Sequence, residues 1–139
     1  MGADLSPRLA AVLEALPLRP GMRVLEVGCG PGALARAIAA RVGPDGYVLG
    51  IDRSPTAIQA AERASDHGSL DFRVASAEEF RLRRDEAPFD LVVAIRVGAL
   101  DGRHHELEAT AIAHLAAAAA PHASVYIDRG DPLEAVPLH

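Results

Sequence analysis

Residues 24–32 read Val-Leu-Glu-Val-Gly-Cys-Gly-Pro-Gly, and this stretch decides the fold. A short apolar run containing one acid, Glu26, is followed by glycines at alternate positions, Gly28, Gly30 and Gly32. Apolar residues at helical spacing come next, so the order predicts a buried strand, a turn without side chains and the start of a helix. A glycine turn lets a ligand lie against the backbone at the positive end of a helix. The stretch therefore predicts a site for a nucleotide-type ligand.

Strand and helix patterns alternate along the rest of the chain. Strands are predicted at residues 23–27, 47–51, 70–75, 89–97 and 124–128. Helices are predicted at residues 6–16, 32–42, 54–65 and 101–120, with a short helix or turn at 77–84. Such alternation produces a parallel sheet with helices on both faces. Neither an internal repeat nor a linker divides the chain.

Composition narrows the class of protein. The chain has 139 residues and a net charge of −5, which argues against a nucleic-acid-binding surface. No apolar run reaches the length of a membrane span, and the N-terminus lacks a signal-peptide pattern. One cysteine, Cys29, excludes an internal disulfide and a multi-cysteine metal site. We expect a cytoplasmic protein with no nucleic-acid partner, no membrane partner and no metal.

Several polar residues follow the predicted strands directly. Glu26 ends the first strand, Asp52 ends the second, residues 76–78 follow the third, and Arg96 follows the fourth. In a parallel sheet these positions share one edge, where ligands bind near the point at which strand order reverses. A carboxylate at Asp52 is placed to accept hydrogen bonds from ribose hydroxyls. The pattern predicts one ligand site built from all four strand ends.

Two ligands compete for this site. Gly28, Gly30 and Ala33 fit the dinucleotide pattern, whose third position is Gly or Ala. A small nicotinamide-binding domain is therefore one interpretation. The same glycines also read Glu-x-Gly-x-Gly-x-Gly, with an acid two positions before the first glycine. Glu26 and Gly32 argue against the nicotinamide interpretation.

At this point the chain resembles the class I S-adenosylmethionine-dependent methyltransferases. Residues 19–32 are similar to the first motif of that family, and residues 50–54 to the second. Residues 75–80 and 89–93 are similar to the third and fourth. The resemblance implies a single methyltransferase-like domain over residues 1–139 that binds S-adenosylmethionine and releases S-adenosylhomocysteine. It implies a doubly wound, mostly parallel Rossmann-like sheet in the order 3-2-1-4-5.

The resemblance also implies contacts to the cofactor. Glu26 would organise the methionine ammonium, Asp52 would hold the ribose, and Ala77 would meet the adenine edge. Ser76 stands where the family often has Asp. The implied cofactor-binding residues are Glu26, Gly28, Cys29, Gly30, Gly32, Asp52, Arg53, Ser76, Ala77, Glu78 and Arg96. Arg96 is also a candidate to bind an acidic substrate.

The function implied is methyl transfer to an unidentified, small-molecule acceptor by in-line displacement, with no catalytic side chain named. The alternative is an S-adenosylmethionine-binding protein without independent transferase activity. His104 and His105 are candidates for a base, against an ordinary solvated helix start.

The end of the chain departs from the family pattern. Only residues 129–139 follow the fifth strand, which predicts that the usual C-terminal antiparallel hairpin is missing. Strand five would then be an exposed edge, a hazard for unwanted pairing. We therefore expect a homodimer that covers this edge.

Overall fold

A computed structural model describes residues 5–66 and 68–139 and places them around one six-stranded sheet. The strands are β1 (Arg23–Val27), β2 (Tyr47–Asp52), β3 (Leu70–Val74), β4 (Leu91–Ala94), β5 (Ser124–Ile127) and β6 (Glu134–Pro137). The helices are α1 (Pro7–Ala15), α2 (Ala33–Val42), α3 (Pro55–Ala64), the short α4 (Gly98–Asp101) and α5 (Glu108–Ala117), with a 3-10 turn at His105–Leu107.

The sheet has the order β3-β2-β1-β4-β5-β6. The first five strands in this order run parallel, which confirms the predicted doubly wound sheet and the order 3-2-1-4-5. The chain leaves β1 towards β2 and β3, then returns to place β4 on the other side of β1. Strand order reverses at this point, so the carboxyl ends of β1 and β4 define the expected ligand edge.

The prediction for the C-terminus is corrected by the structure. Residues Glu134–Pro137 form β6, which pairs antiparallel with β5. The register brings Val136 opposite Val125, and Leu138 beyond the strand is buried. An antiparallel strand therefore does follow β5 and extends the sheet, so the expectation of an exposed edge at β5 is wrong. The structural reason for expecting a second copy over this edge falls with it.

The two faces of the sheet bury separate cores because successive side chains of a strand point to opposite faces. Leu25, Leu49 and Val92 pack with Leu115 of α5 on one face. On the other face Val24 and Val93 are among the residues that pack with α1 and α2. Every residue of β4 is buried, as a strand between helix layers requires.

Local chemistry fixes the helix starts. The Ser6 hydroxyl accepts a hydrogen bond from the Leu9 amide, and the Ser54 hydroxyl accepts one from Ala57. A proline follows each of these serines, so both α1 and α3 begin with a capping side chain and a pre-set first residue.

Two predicted elements are shorter than expected. The fourth strand ends at Ala94, since the backbone turns at Arg96 with a φ of 57°. The predicted helix over residues 101–120 is divided, because Gly102 ends α4 in a left-handed conformation. The extent of the domain, residues 1–139, stays a prediction. Residues 1–4 and residue 67 of that range lie outside the part that the structure describes.

Matched Val→Ala substitutions test which strand carries the core. Val93 in β4 is fully buried, whereas Val74 at the sheet edge is 49% exposed. We expect Val93→Ala to lower the free energy of unfolding by roughly 2–3 kcal/mol and Val74→Ala by less than about 0.5 kcal/mol. Urea unfolding of both variants measures the difference. Equal losses would contradict this assignment of the core.

Candidate functional site

The turn after β1 is formed by glycines in conformations that other residues rarely adopt. Gly28 has a φ of 76° and Gly30 a φ of 52°. The Gly28 amide donates a hydrogen bond to the Ile51 carbonyl at the end of β2. A Cβ atom on Gly28 would lie 2.6 Å from the carbonyl oxygen of Ile95, whereas one on Gly30 would meet nothing within 4 Å. Gly28 is therefore required for the backbones to approach, and Gly30 leaves open space.

Asp52 links this turn to the start of α3. One of its carboxylate oxygens accepts a 2.9 Å hydrogen bond from the Gly30 amide, and the other accepts one of 2.9 Å from the Ser54 amide. Each oxygen retains a further lone pair for a ligand hydroxyl. The side chain is thus fixed in position before any ligand binds.

Two cavities open along the carboxyl ends of the strands. The β3-side cavity, about 250 Å³, lies between the ends of β2 and β3 and the segment that includes α4. The α1-side cavity, about 370 Å³, lies between the glycine turn and the N-terminus of α1. Gly28 and Arg96 line both cavities, so the two meet at these residues.

The structure brings together ten of the eleven residues singled out from the sequence. The β3-side cavity is lined by Gly28, Asp52, Arg53, Ser76, Ala77, Glu78 and Arg96. The α1-side cavity is lined by Glu26, Gly28, Cys29, Gly30 and Arg96. Gly32 lines neither; it is buried, and a Cβ there would contact Phe72 and Arg36.

Glu26 is the most perturbed acid of the site. Its side chain is 2% exposed, and its Oε1 atom has no hydrogen-bond partner among the described residues. Burial, together with the nearby charge of Asp52, raises the pKa of Glu26 to about 8, although the Ala35 amide and the charge of Arg36 act in the opposite direction. A buried carboxyl with an unused oxygen beside a cavity is a candidate partner for a cationic ligand group.

Two other predicted residues have local partners. The Ser76 hydroxyl donates a 3.0 Å hydrogen bond to Glu79, so it is partly occupied within its own turn. Burial raises the pKa of the Cys29 thiol, which therefore stays protonated and fills space beside the turn.

Sequence reasoning missed the walls opposite the glycine turn. Arg8 and Leu9 of α1 line the α1-side cavity, and Arg103 lines the β3-side cavity. His104, which the sequence offered as a candidate base, lines the β3-side cavity as well. The His104 ring packs on Gly98, where a Cβ would lie 2.5 Å from its Cδ2 atom. These segments meet the strand ends only through the tertiary fold, and no local pattern marks them.

A larger cavity of about 650 Å³ lies away from the glycine turn. Arg73 and Glu86 in its wall form an ion pair, and the Tyr47 hydroxyl donates to Asp71. Because this cavity lies away from the carboxyl ends of the strands, we place the candidate site at the strand ends.

The arrangement fits a ligand that has a cationic group at one end and hydroxyl groups at the other. The α1-side cavity offers the orphaned Glu26 carboxyl to a cation, and the β3-side cavity offers Asp52 to hydroxyl groups. The glycine turn between them allows a ligand to lie on the backbone. The fold and this cleft define a Rossmann-like protein with a bipartite nucleotide-type site.

Comparison with known proteins gives the family. A family profile described as "Methyltransferase domain" matches residues 18–122, more than half of the chain. The chain belongs to the class I S-adenosylmethionine-dependent methyltransferases.

Individual relatives support this placement. Nocamycin O-methyltransferase from Saccharothrix syringae is 36% identical over 99 residues, covering 68% of this chain and 34% of that protein. A SAM-dependent methyltransferase from Aquifex aeolicus has the same fold, with a TM-score of 0.71, 23% identity and coverage of 94% of this chain and 74% of that one. The chain spans less than half the length of the curated relatives it matches.

The prediction about partners is corrected by a third comparison. A putative methyltransferase from Haloferax volcanii, solved in complex with the Trm112 methyltransferase activator, matches with a TM-score of 0.68 and 22% identity. The match covers 86% of this chain and 50% of that one. A protein of this fold therefore has a protein partner of another kind. The expectation that the partners are a small-molecule substrate and a second copy of the chain, with nucleic acid excluded, was wrong.

Two absences hold for the described residues, 5–66 and 68–139. No helix among them combines the length and the apolarity needed to span a bilayer. Within the same ranges, no group of three or more His, Cys, Asp or Glu side chains could hold a metal ion.

Alanine substitutions in the glycine turn are expected to destabilise the protein more at Gly28, where a Cβ atom would clash, than at Gly30, where it would not. Gly28→Ala forces a left-handed alanine against the Ile95 carbonyl, and we expect a loss of roughly 2–5 kcal/mol in the free energy of unfolding. Gly30→Ala carries only the backbone cost, about 1–2 kcal/mol. Denaturant unfolding compares them. A loss at Gly30 as large as that at Gly28 would contradict the geometry.

The raised pKa of Glu26 makes stability depend on pH. The unfolded chain ionises this group near its ordinary pKa of 4.5, but the folded chain holds the proton to about pH 8. Stability from this group is therefore present below pH 4.5 and lost as the pH rises towards 8. Glu26→Gln removes that loss, so we expect the variant to exceed the wild type by on the order of 5 kcal/mol at alkaline pH.

Urea unfolding between about pH 5 and pH 9 measures this difference. Glu62→Gln, on the exposed face of α3, is the matched control and should follow the wild type at each pH. A constant difference between Glu26→Gln and the wild type across this range would refute the raised pKa.

Proposed function

We propose that this chain binds S-adenosylmethionine across the two cavities and transfers its methyl group to an acceptor. The observation that carries the proposal is the pairing of an orphaned, buried Glu26 with a pre-positioned Asp52 on opposite sides of an open glycine turn. Membership of the methyltransferase family supports the same assignment.

Glu26 is proposed to bind the ammonium group of the methionine part. A cation beside the carboxyl favours its ionised form, which relieves the cost of burying it. The free Oε1 atom supplies an acceptor that the protein itself leaves unused. The backbone of Gly28, Cys29 and Gly30 is proposed to lie against the ligand in the same cavity.

Asp52 is proposed to accept hydrogen bonds from the ribose hydroxyls. Its carboxylate already holds two backbone amides, so little ordering is needed when the ligand binds. Arg53 and the segment Ser76–Glu78 line the rest of the β3-side cavity and are proposed to surround the adenine. Because Ser76 is neutral and engaged with Glu79, its bond to an adenine amino group is expected to be modest.

When bound, S-adenosylmethionine would supply the methyl group of its sulfonium, and its sulfur would leave as a neutral thioether when a lone pair of the acceptor attacks the methyl in line. The residues of this chain have to hold the methyl in line with the acceptor and exclude water, because alignment supplies much of the acceleration. One reason for the alternative, a binding protein without activity, was the expected loss of the antiparallel hairpin after β5, and the pairing of β6 with β5 removes that reason.

Calorimetric titration with S-adenosylmethionine, S-adenosylhomocysteine and NAD tests the proposal. We expect the two sulfur ligands to bind and NAD not to bind. Asp52→Asn should weaken both sulfur ligands at least about tenfold, because it removes a charged acceptor for ribose hydroxyls.

Asp45→Asn, in the exposed turn before β2, is the matched control and should bind like the wild type. Absence of binding by the wild type would remove the proposed function. Equal binding by Asp52→Asn and Asp45→Asn would remove the role of Asp52 alone.

A further inference from the structure

We propose that Arg96 recognises an oxyanion of the methyl acceptor, a carboxylate or a phosphate, next to the atom that receives the methyl group. This inference rests on the proposed function, since it uses the way the cofactor would lie across the two cavities. It assigns to the acceptor a residue that the sequence resemblance placed among cofactor contacts.

Arg96 lies at the junction of the two cavities. Gly28 and Arg96 are the two residues that line both cavities. In S-adenosylmethionine the sulfonium lies between the methionine part and the adenosine part. With Glu26 in one cavity and Asp52 in the other, the sulfonium comes to the junction of the two. Arg96 therefore lies beside the point of transfer.

The charge of Arg96 favours an anionic partner. A guanidinium and a sulfonium are both cations, and they repel each other in a cleft where water is partly excluded. Arg96 therefore gains nothing from the sulfonium, and a contact with the carboxylate of the methionine part is the alternative that the affinity for S-adenosylhomocysteine measures. An acceptor oxyanion is attracted by both cations, and the planar guanidinium matches carboxylate and phosphate groups with two parallel hydrogen bonds.

The backbone of Arg96 is held in an unusual conformation. Arg96 is the residue other than glycine that has a positive φ in the described part of the chain. Its amide donates to Asp128 at 2.9 Å, and its carbonyl accepts from Arg103 at 2.9 Å. A left-handed arginine costs free energy, and two side chains from separate elements hold it there.

The nearby acids leave the Arg96 side chain available. Asp128 forms an ion pair with Arg8 at 2.6 Å, and Asp101 forms one with Arg103 at 2.8 Å. Among residues 5–66 and 68–139, no acid forms an ion pair with Arg96, which is exposed at the junction. Asp128 and Asp101 are thus paired with other arginines, which leaves the Arg96 guanidinium for a ligand.

Binding of small probes to the loaded protein tests the proposal. The protein is saturated with S-adenosylhomocysteine and titrated by ligand-observed NMR with benzoate, phenyl phosphate and the neutral benzamide. The variants are Arg96→Gln and Arg96→Gly; glycine adopts the left-handed conformation without cost, so the loop is kept. Arg41→Gln, on the exposed face of α2, is the matched control.

We expect at least one anion to bind the wild type and the control about tenfold more tightly than benzamide, and to lose that preference in both Arg96 variants. Their affinity for S-adenosylhomocysteine should stay within about twofold of the wild type. Preference for benzoate identifies a carboxylate, and preference for phenyl phosphate identifies a phosphate.

Three results would overturn the proposal. The first is that neither anion binds better than benzamide, and the second is that the Arg96 variants keep the preference. The third is a fall of about tenfold in affinity for S-adenosylhomocysteine in the variants, since it would make Arg96 a cofactor contact. Failure of the wild type to bind S-adenosylhomocysteine is a distinct result, which removes the proposed function and this inference with it.

Discussion

The close approach of two backbones at Gly28 is the constraint on which the site depends. The end of β1 passes so near the Ile95 carbonyl that no side chain fits at this position. This contact fixes the ends of β1 and β4 beside each other at the point where strand order reverses. It places Glu26 and Arg96 on either side of one turn, and the two cavities follow from it.

The electrostatics of the cleft follow from burial. Glu26 is buried in β1, where ionisation of its carboxyl group is unfavourable. Its Oε1 atom has no hydrogen-bond partner among the described residues, so the folded protein does not offset the cost of burying this group. Asp52 lies at the rim and is held by backbone amides. The molecule thus retains a destabilising group at the site where a cationic ligand would relieve it, a trade of stability for function.

Sequence reasoning failed where pairing is non-local. The segment after β5 contains Gly130 and Pro132 and carries no clear strand pattern, yet residues Glu134–Pro137 pair with β5. Only the presence of β5 in its final place provides the partner for this strand. The same holds for Arg8 and Arg103, which reach the cleft from segments distant along the chain. The partners of the protein were misjudged for a related reason, because composition describes the average surface and not a docking site.

The sequence by itself determined the alternation of strands and helices, the order of the first five strands through its family motifs, and the glycine turn with Glu26 and Asp52 at strand ends. These features are local, because periodicity and glycine placement act over a few residues. Tertiary structure alone decided the closing strand β6, the α1 wall of the cleft and the strained backbone of Arg96. Each of these depends on contacts between distant segments, which no local pattern records.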